Sequence, residues 1–183
     1  MTTTRAEDIL TFWFEEHGQS DWFGGGKDFD RQIVDRFQSV HRRARAGELW
    51  SWRSTPEGRL AEIIVLDQFS RQIYRKQAAA FAADAQALTL AQEVVLRGDD
   101  RRLTADRRLF AYMPFMHSES LLVHDEAAPL FAALGEVPSS YAKSHRDLIA
   151  KYGRYPYRNA ALGRANTPDE EAYLSSEHDS YGQ

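Results

Sequence analysis

The sequence predicts an all-α fold, and three features carry that prediction. Apolar residues recur at helical spacing along most of the chain. Helix start and stop residues punctuate those stretches. No pair of alternating apolar runs joined by a tight turn reads as a hairpin. Residues 60–75 are the clearest case. Wrapped at about 100° per residue, Leu60, Ile63, Ile64, Asp67, Arg71 and Tyr74 share one face, and Ala61, Val65, Leu66, Phe69 and Ile73 cover much of the rest. A helix apolar nearly all round is buried on several sides. Asp67 and Arg71 are therefore drawn inside, one turn apart, where buried charges must be paired.

The elements follow in order. Thr4-Arg-Ala-Glu7 has the form of a capping box ahead of Ile9, Leu10, Phe12, Trp13 and Phe14. The polar, glycine-rich stretch 18–27 ends that helix. Phe29, Ile33, Phe37 and Val40 mark a second helix, which closes at Gly47 after His41, Arg42, Arg43 and Arg45, cations that suit a helix C-terminus. Thr55 as N-cap with Pro56 at the first helical position opens the central helix. A fourth, alanine-rich helix runs from about Ala78 to Arg97 and stops at Gly98. Leu103 to Tyr112 is shorter and is interrupted before Pro114. His117 to Leu134 continues as helix, kinked or broken at Pro129. Pro138 precedes a helix from Ser139 to Tyr152, with Gly153 as its C-terminal cap. Pro156 starts a short helix ending near Gly163, and Thr167-Pro-Asp-Glu170 is a second capping box. This gives roughly eight or nine helices in one domain over 1–174, followed by a polar, frayed tail over 175–183.

Composition excludes several function classes. A chain of 183 residues with 43% apolar and 27% charged residues is an ordinary globular domain. A net charge of −4 argues against a general nucleic-acid surface. The absence of cysteine removes disulfides, thiolate metal sites and cysteine nucleophiles. No run approaches the roughly 18 apolar residues of a membrane span, and the N-terminus has no apolar signal core. The expectation is a cytoplasmic protein without nucleic-acid or membrane partners. Gly24-Gly-Gly26 lacks the strand and the lysine-serine/threonine pair of a phosphate loop and reads as a turn. No serine sits in a Gly-x-Ser-x-Gly elbow.

Polar residues placed where core is expected form the candidate site. Asp67 and Arg71 are either a structural ion pair or, with Arg75, the wall of an anion pocket. His117 and His124 lie seven residues apart, a span of about 10.5 Å along a helix, too far to share one metal ion. The paired-histidine zinc motif and the Glu-x-x-His diiron pattern are both missing. No metal and no cofactor are therefore expected. His124 reads as a satisfied core histidine. His117, followed by Glu119, lies near a helix start, a natural ligand position. His145 shares an apolar stripe with Tyr141, Leu148, Ile149 and Tyr152 and gains interest only if its ring meets His117 or Asp67. The segment Gly153-Arg-Tyr-Pro-Tyr-Arg-Asn159 with Leu162-Gly-Arg164 gathers guanidinium forks suited to carboxylate or phosphate. It is an anion site or a clamp on helix ends.

These same runs, with Ala80-Phe-Ala-Ala-Asp84, Phe12-Trp13-Phe14, Trp22-Phe23 and Thr167-Pro-Asp-Glu170, resemble a mainly bacterial family, domain of unknown function 924. The resemblance covers about residues 6–174. It implies an all-helical fold of the tetratricopeptide-like superhelical class and supplies no activity. The family pattern commonly has asparagine where this chain has Gln72, glutamine at His124 and histidine at Tyr157, departures that bear on those side chains and not on the fold.

Three functional expectations result. In the first, Asp67, Arg71, Arg75, His117, Arg154, Arg158 and Asn159 line a groove that binds an anionic small molecule or acidic peptide. In the second, the chain is a hydrolase- or isomerase-type enzyme with His117 or His145 as general base and Asp67 or Glu119 as its orienting carboxylate. In the third, the polar set is architectural. Four tryptophans, ten phenylalanines and eight tyrosines are also compatible with a homo-oligomer.

Overall fold

The computed structural model describes residues 4–24 and 26–176, and among them every regular element is helical. The expected frayed tail over 175–183 lies largely outside the described residues. The eleven α-helices are α1 (Ala6–Thr11), α2 (Gln19–Gly24), α3 (Lys27–Arg45), α4 (Pro56–Ile64), α5 (Ser70–Ile73), α6 (Asp84–Leu96), α7 (Ala105–Met116), α8 (Leu121–Ala132), α9 (Glu136–Tyr152), α10 (Asn159–Leu162) and α11 (Pro168–Ser175). Two π-helical segments, Phe12–Glu16 and Val65–Phe69, extend α1 and join α4 to α5. Single turns of 3-10 helix fill several connections.

The central helix is placed as its pattern requires. Thr55 Oγ1 accepts from the Gly58 amide at 3.0 Å, Pro56 occupies the first turn, and every residue from Leu60 to Gln72 is buried. It packs on α1, α6 and α7. Phe12, Trp13, Phe29, Phe37, Phe69 and Phe110 interlock around its middle with ring centroids 4.9–6.0 Å apart. Burial of rings this size dominates core energetics.

Several boundaries differ from the sequence reading, each for a physical reason. The first cap falls one residue later: Asp8 accepts the Arg5 amide at 2.8 Å. The stretch after Gly18 forms α2 because Trp22 anchors it, donating from Nε1 to the Trp13 carbonyl at 2.9 Å and stacking against Trp13. The alanine-rich helix begins at Asp84, after a 3-10 turn over Ala78–Ala80. Helix α7 runs through Pro114 to Met116; burial of all seven residues from Phe110 to Met116 outweighs the missing amide. His117 consequently sits at the C-terminal end of α7, not at a helix start. Helix α9 begins at Glu136, with Pro138 inside its first turn. The predicted ends at Gly98, Gly153 and Gly163 are all present, each in the left-handed region that glycine favours.

Candidate functional site

The site grows out of the π segment of the central helix. A π turn widens the helix and displaces its carbonyls from their usual partners, and such turns recur at functional positions. Here side chains one turn on take two of those carbonyls: Ser70 Oγ donates to Leu66 O at 2.6 Å, and Arg71 Nη1 donates to Asp67 O at 2.7 Å. The Asp67 side chain is left to point inward, fully buried. Its Oδ1 lies 2.8 Å from His117 Nδ1 and 3.1 Å from Arg71 Nη1, and its Oδ2 accepts from Gln68 Nε2 at 2.6 Å.

Arg71 reaches on from Asp67 to Asp84, the first residue of α6. The guanidinium grips that carboxylate with both terminal nitrogens at 3.1 Å, and Arg158 Nη1 approaches the same carboxylate at 3.2 Å. The Arg158 guanidinium is held between the Phe81 and Tyr155 rings, 4.6 Å from each centroid, a cation–π arrangement strengthened by desolvation. Nε of both arginines is sealed from solvent without a hydrogen-bond partner.

The electrostatics follow from this geometry. Burial by itself would raise the Asp67 carboxyl, but Arg71 and His117 outweigh it and hold the group well below the usual carboxylate range. Burial, aided by Arg71, pushes the His117 imidazole below its ordinary value against the opposing pull of Asp67. At neutral pH the site therefore pairs an ionised Asp67 with a neutral His117. An ionised carboxylate only accepts, so Nδ1 carries the proton and Nε2 keeps the lone pair. Nε2 has no hydrogen bond to a described residue, and the His117 side chain retains 14% exposure. Two guanidiniums, two carboxylates and a neutral ring leave the cluster without net charge.

The structure thus brings together Asp67, Arg71, His117 and Arg158, and it distributes the other candidates. Arg75 is held by Asp30 of α3, at 2.9 and 2.8 Å. Arg154 is gripped by Glu170 at 2.6 and 2.7 Å and also donates to Ala165 O. Asn159 donates to Asn166 at 2.8 Å and accepts from Arg164 at 2.9 Å. Glu119 accepts the Tyr155 amide at 2.8 Å and a forked pair from Arg164 at 2.7 and 3.0 Å; burial would raise it, but Arg164 and the amide hold it low. These three clamps pin the C-terminal helices beside the site. His145 donates from Nδ1 to Tyr141 O at 2.9 Å within its own helix, and burial depresses it to about 3. His124 donates from Nε2 to Ser118 O at 2.9 Å.

Sequence reasoning did not select Asp84, Phe81 or Gln68 as site residues. Asp84 stands in a first helical turn, where a carboxylate has a local reason to be; only the fold reveals the two arginines that converge on it. Among the described residues no group of three or more histidine, aspartate and glutamate side chains is arranged to hold a metal ion. No helix among them is long and apolar enough to cross a membrane.

Comparison with known proteins agrees with this architecture. The solved structure of ATU0120, a protein of unknown function from Agrobacterium tumefaciens, matches with a TM-score of 0.89 and 38% identity, covering 93% of this chain and 96% of that one. No curated protein matches the chain. Residues 9–178 match the family described as bacterial protein of unknown function DUF924, and the chain belongs to that family.

Proposed function

We propose that the cluster at the π segment is the active site of a small-molecule enzyme in which His117 takes a proton from an anionic substrate. One observation carries this reading: the 2.8 Å bond from His117 Nδ1 to the buried Asp67 carboxylate, which leaves Nε2 as a lone pair without a partner among the described residues. A carboxylate that fixes the tautomer and stabilises the imidazolium as it forms is what a general base needs. Arg158, flanked by Phe81 and Tyr155, supplies the guanidinium for a substrate carboxylate or phosphate in this reading. A concave peptide groove of the tetratricopeptide kind would want Arg71, Arg75, Arg154 and Arg158 on one open face. Arg71 and Arg158 instead share Asp84 inside the fold, while Arg75 and Arg154 close on Asp30 and Glu170, which favours a small ligand.

The architectural reading has its own support, because Asp84 and Asp67 together already balance the charges of Arg71 and Arg158. One experiment separates the two. The protein is incubated in deuterium oxide with a panel of small carboxylates and phosphate esters, and proton NMR follows loss of C–H signals and the growth of products. Turnover or exchange that is abolished in a folded His117→Gln variant supports the enzyme. A panel left unchanged by the wild type, or a rate that survives His117→Gln, overturns it.

A further inference from the structure

Helices α8 and α9 pack along their length, yet small residues on their facing surfaces leave a gap. His124 and Ala128 of α8, and Ser139, Ala142, Lys143 and Arg146 of α9, line a cavity of about 210 Å³. Their spacings of four residues on α8, and of three, four and seven on α9, each define a single helix face. The cavity therefore follows from the helix pairing itself. A cavity of about 150 Å³ admits benzene, so this one takes a molecule of about six to nine non-hydrogen atoms.

Two polar features give the cavity a chemistry. The first is His124, only 5% exposed. Its Nε2 lies 2.9 Å from Ser118 O and 3.3 Å from the Tyr155 hydroxyl, which itself donates to Met116 O. A carbonyl only accepts, so Nε2 carries the proton. The remaining ring nitrogen, Nδ1, is an acceptor without a hydrogen-bond partner among the described residues. The second is the pair of cations at the mouth. Lys143 leans on Asp147 at 2.5 Å, and Arg146 uses Nε alone to hold Asp125 at 2.6 Å. Neither terminal nitrogen of Arg146 makes a hydrogen bond to a described residue, and Asp147 lies 4.0 Å from Nη1, beyond hydrogen-bond reach. The terminal edge of the guanidinium therefore remains available for a two-point grip on a carboxylate.

We infer that this cavity is a binding site for a small hydroxycarboxylate, with its carboxylate on Arg146 and Lys143 and its hydroxyl donating to His124 Nδ1. The hydroxyl supplies the donor that the acceptor Nδ1 lacks. Ala128 and Ala142 supply the apolar walls for the carbon skeleton. The lining residues are not those of the His117 cluster, which adjoins through Tyr155, and the assignment does not depend on that cluster's function.

The test uses the full chain, with lactate as the probe and propionate, which lacks the hydroxyl, as its control. Binding is followed by saturation-transfer NMR and titration calorimetry. Ala128→Leu fills the cavity from an exposed helix position and keeps good helix propensity, so its fold is retained. Lactate is expected to bind in the millimolar range. Propionate should bind about two- to tenfold more weakly, the factor one charge-neutral hydrogen bond supplies. Ala128→Leu should abolish lactate binding, Arg146→Gln should weaken it at least about tenfold, and His117→Gln should leave it unchanged. Failure of lactate to bind, equal binding of propionate, or binding that survives Ala128→Leu overturns the assignment.

Discussion

Replacing Asp84 by alanine tests whether the buried cluster is held by its charges. The carboxylate accepts two bonds from Arg71 at 3.1 Å and one from Arg158 at 3.2 Å, and these arginines are only 6% and 4% exposed. Removing it strands two guanidiniums, whose Nε groups already lack partners. Breaking a buried pair by deleting one member costs about 3–5 kcal/mol. For a chain of this size each kcal/mol lowers Tm by about 2–4 °C, which predicts a fall on the order of 10 °C. Asp67 still partly compensates Arg71, so the loss falls in the lower half of that range. The assay is urea unfolding followed by circular dichroism, run as double-mutant cycles with Arg71→Met and Arg158→Met. Two bonds against one predict a larger coupling of Asp84 to Arg71 than to Arg158. A loss under about 1 kcal/mol for Asp84→Ala, in the range of an exposed pair, or a cycle in which Arg158 couples more strongly than Arg71, refutes the electrostatic account of the cluster.

Two further outcomes are expected. Acid should weaken the fold through its buried histidines: burial depresses His41 to about 4 and His145 to about 3, while the unfolded chain takes up their protons near the ordinary value of about 6.5. Their stabilisation is therefore complete above that value and is lost as pH falls toward the folded ones. Each contributes a loss of about 2 kcal/mol between pH 7 and pH 5, and urea midpoints that coincide at the two pH values would contradict it. Gly58→Ala should destabilise although alanine is the better helix former, because its Cβ would lie 2.1 Å from the Trp52 carbonyl oxygen; the expected cost is about 1–3 kcal/mol, read as a lowered melting temperature, and a raised one would show that this contact yields.

Much of the fold was legible because local chemistry specifies it. Thr55-Pro56 and Thr167-Pro-Asp-Glu170 start helices where the threonine side chains meet amides three residues on, a bond that needs no distant partner. Gly98, Gly153 and Gly163 end them by adopting a backbone geometry costly for other residues. Boundaries failed where tertiary packing outvoted local preference. Trp22 turns a glycine-flanked stretch into helix by docking on Trp13, and a fully buried turn carries α7 through Pro114. His117 moved from a helix start to a helix end as a result.

The site divides along the same line. Periodicity alone determines that Asp67 and Arg71 are buried, since one turn separates two charges on a helix with no polar face. Composition alone determines that no thiol chemistry takes part, there being no cysteine. Which charges meet is another matter. Asp67 and His117 are 50 residues apart, and Asp84 and Arg158 are 74 apart, so their pairing depends on how α6, α7 and the turn before α10 dock on the central helix. Arg75 and Arg154 carry the same guanidinium as Arg71 and Arg158, yet they close on Asp30 and Glu170. Charge fixes that each buried arginine must find a carboxylate; only the tertiary structure chooses which one, because pair energies in a low-dielectric interior depend on separations of a few ångströms that no linear pattern encodes.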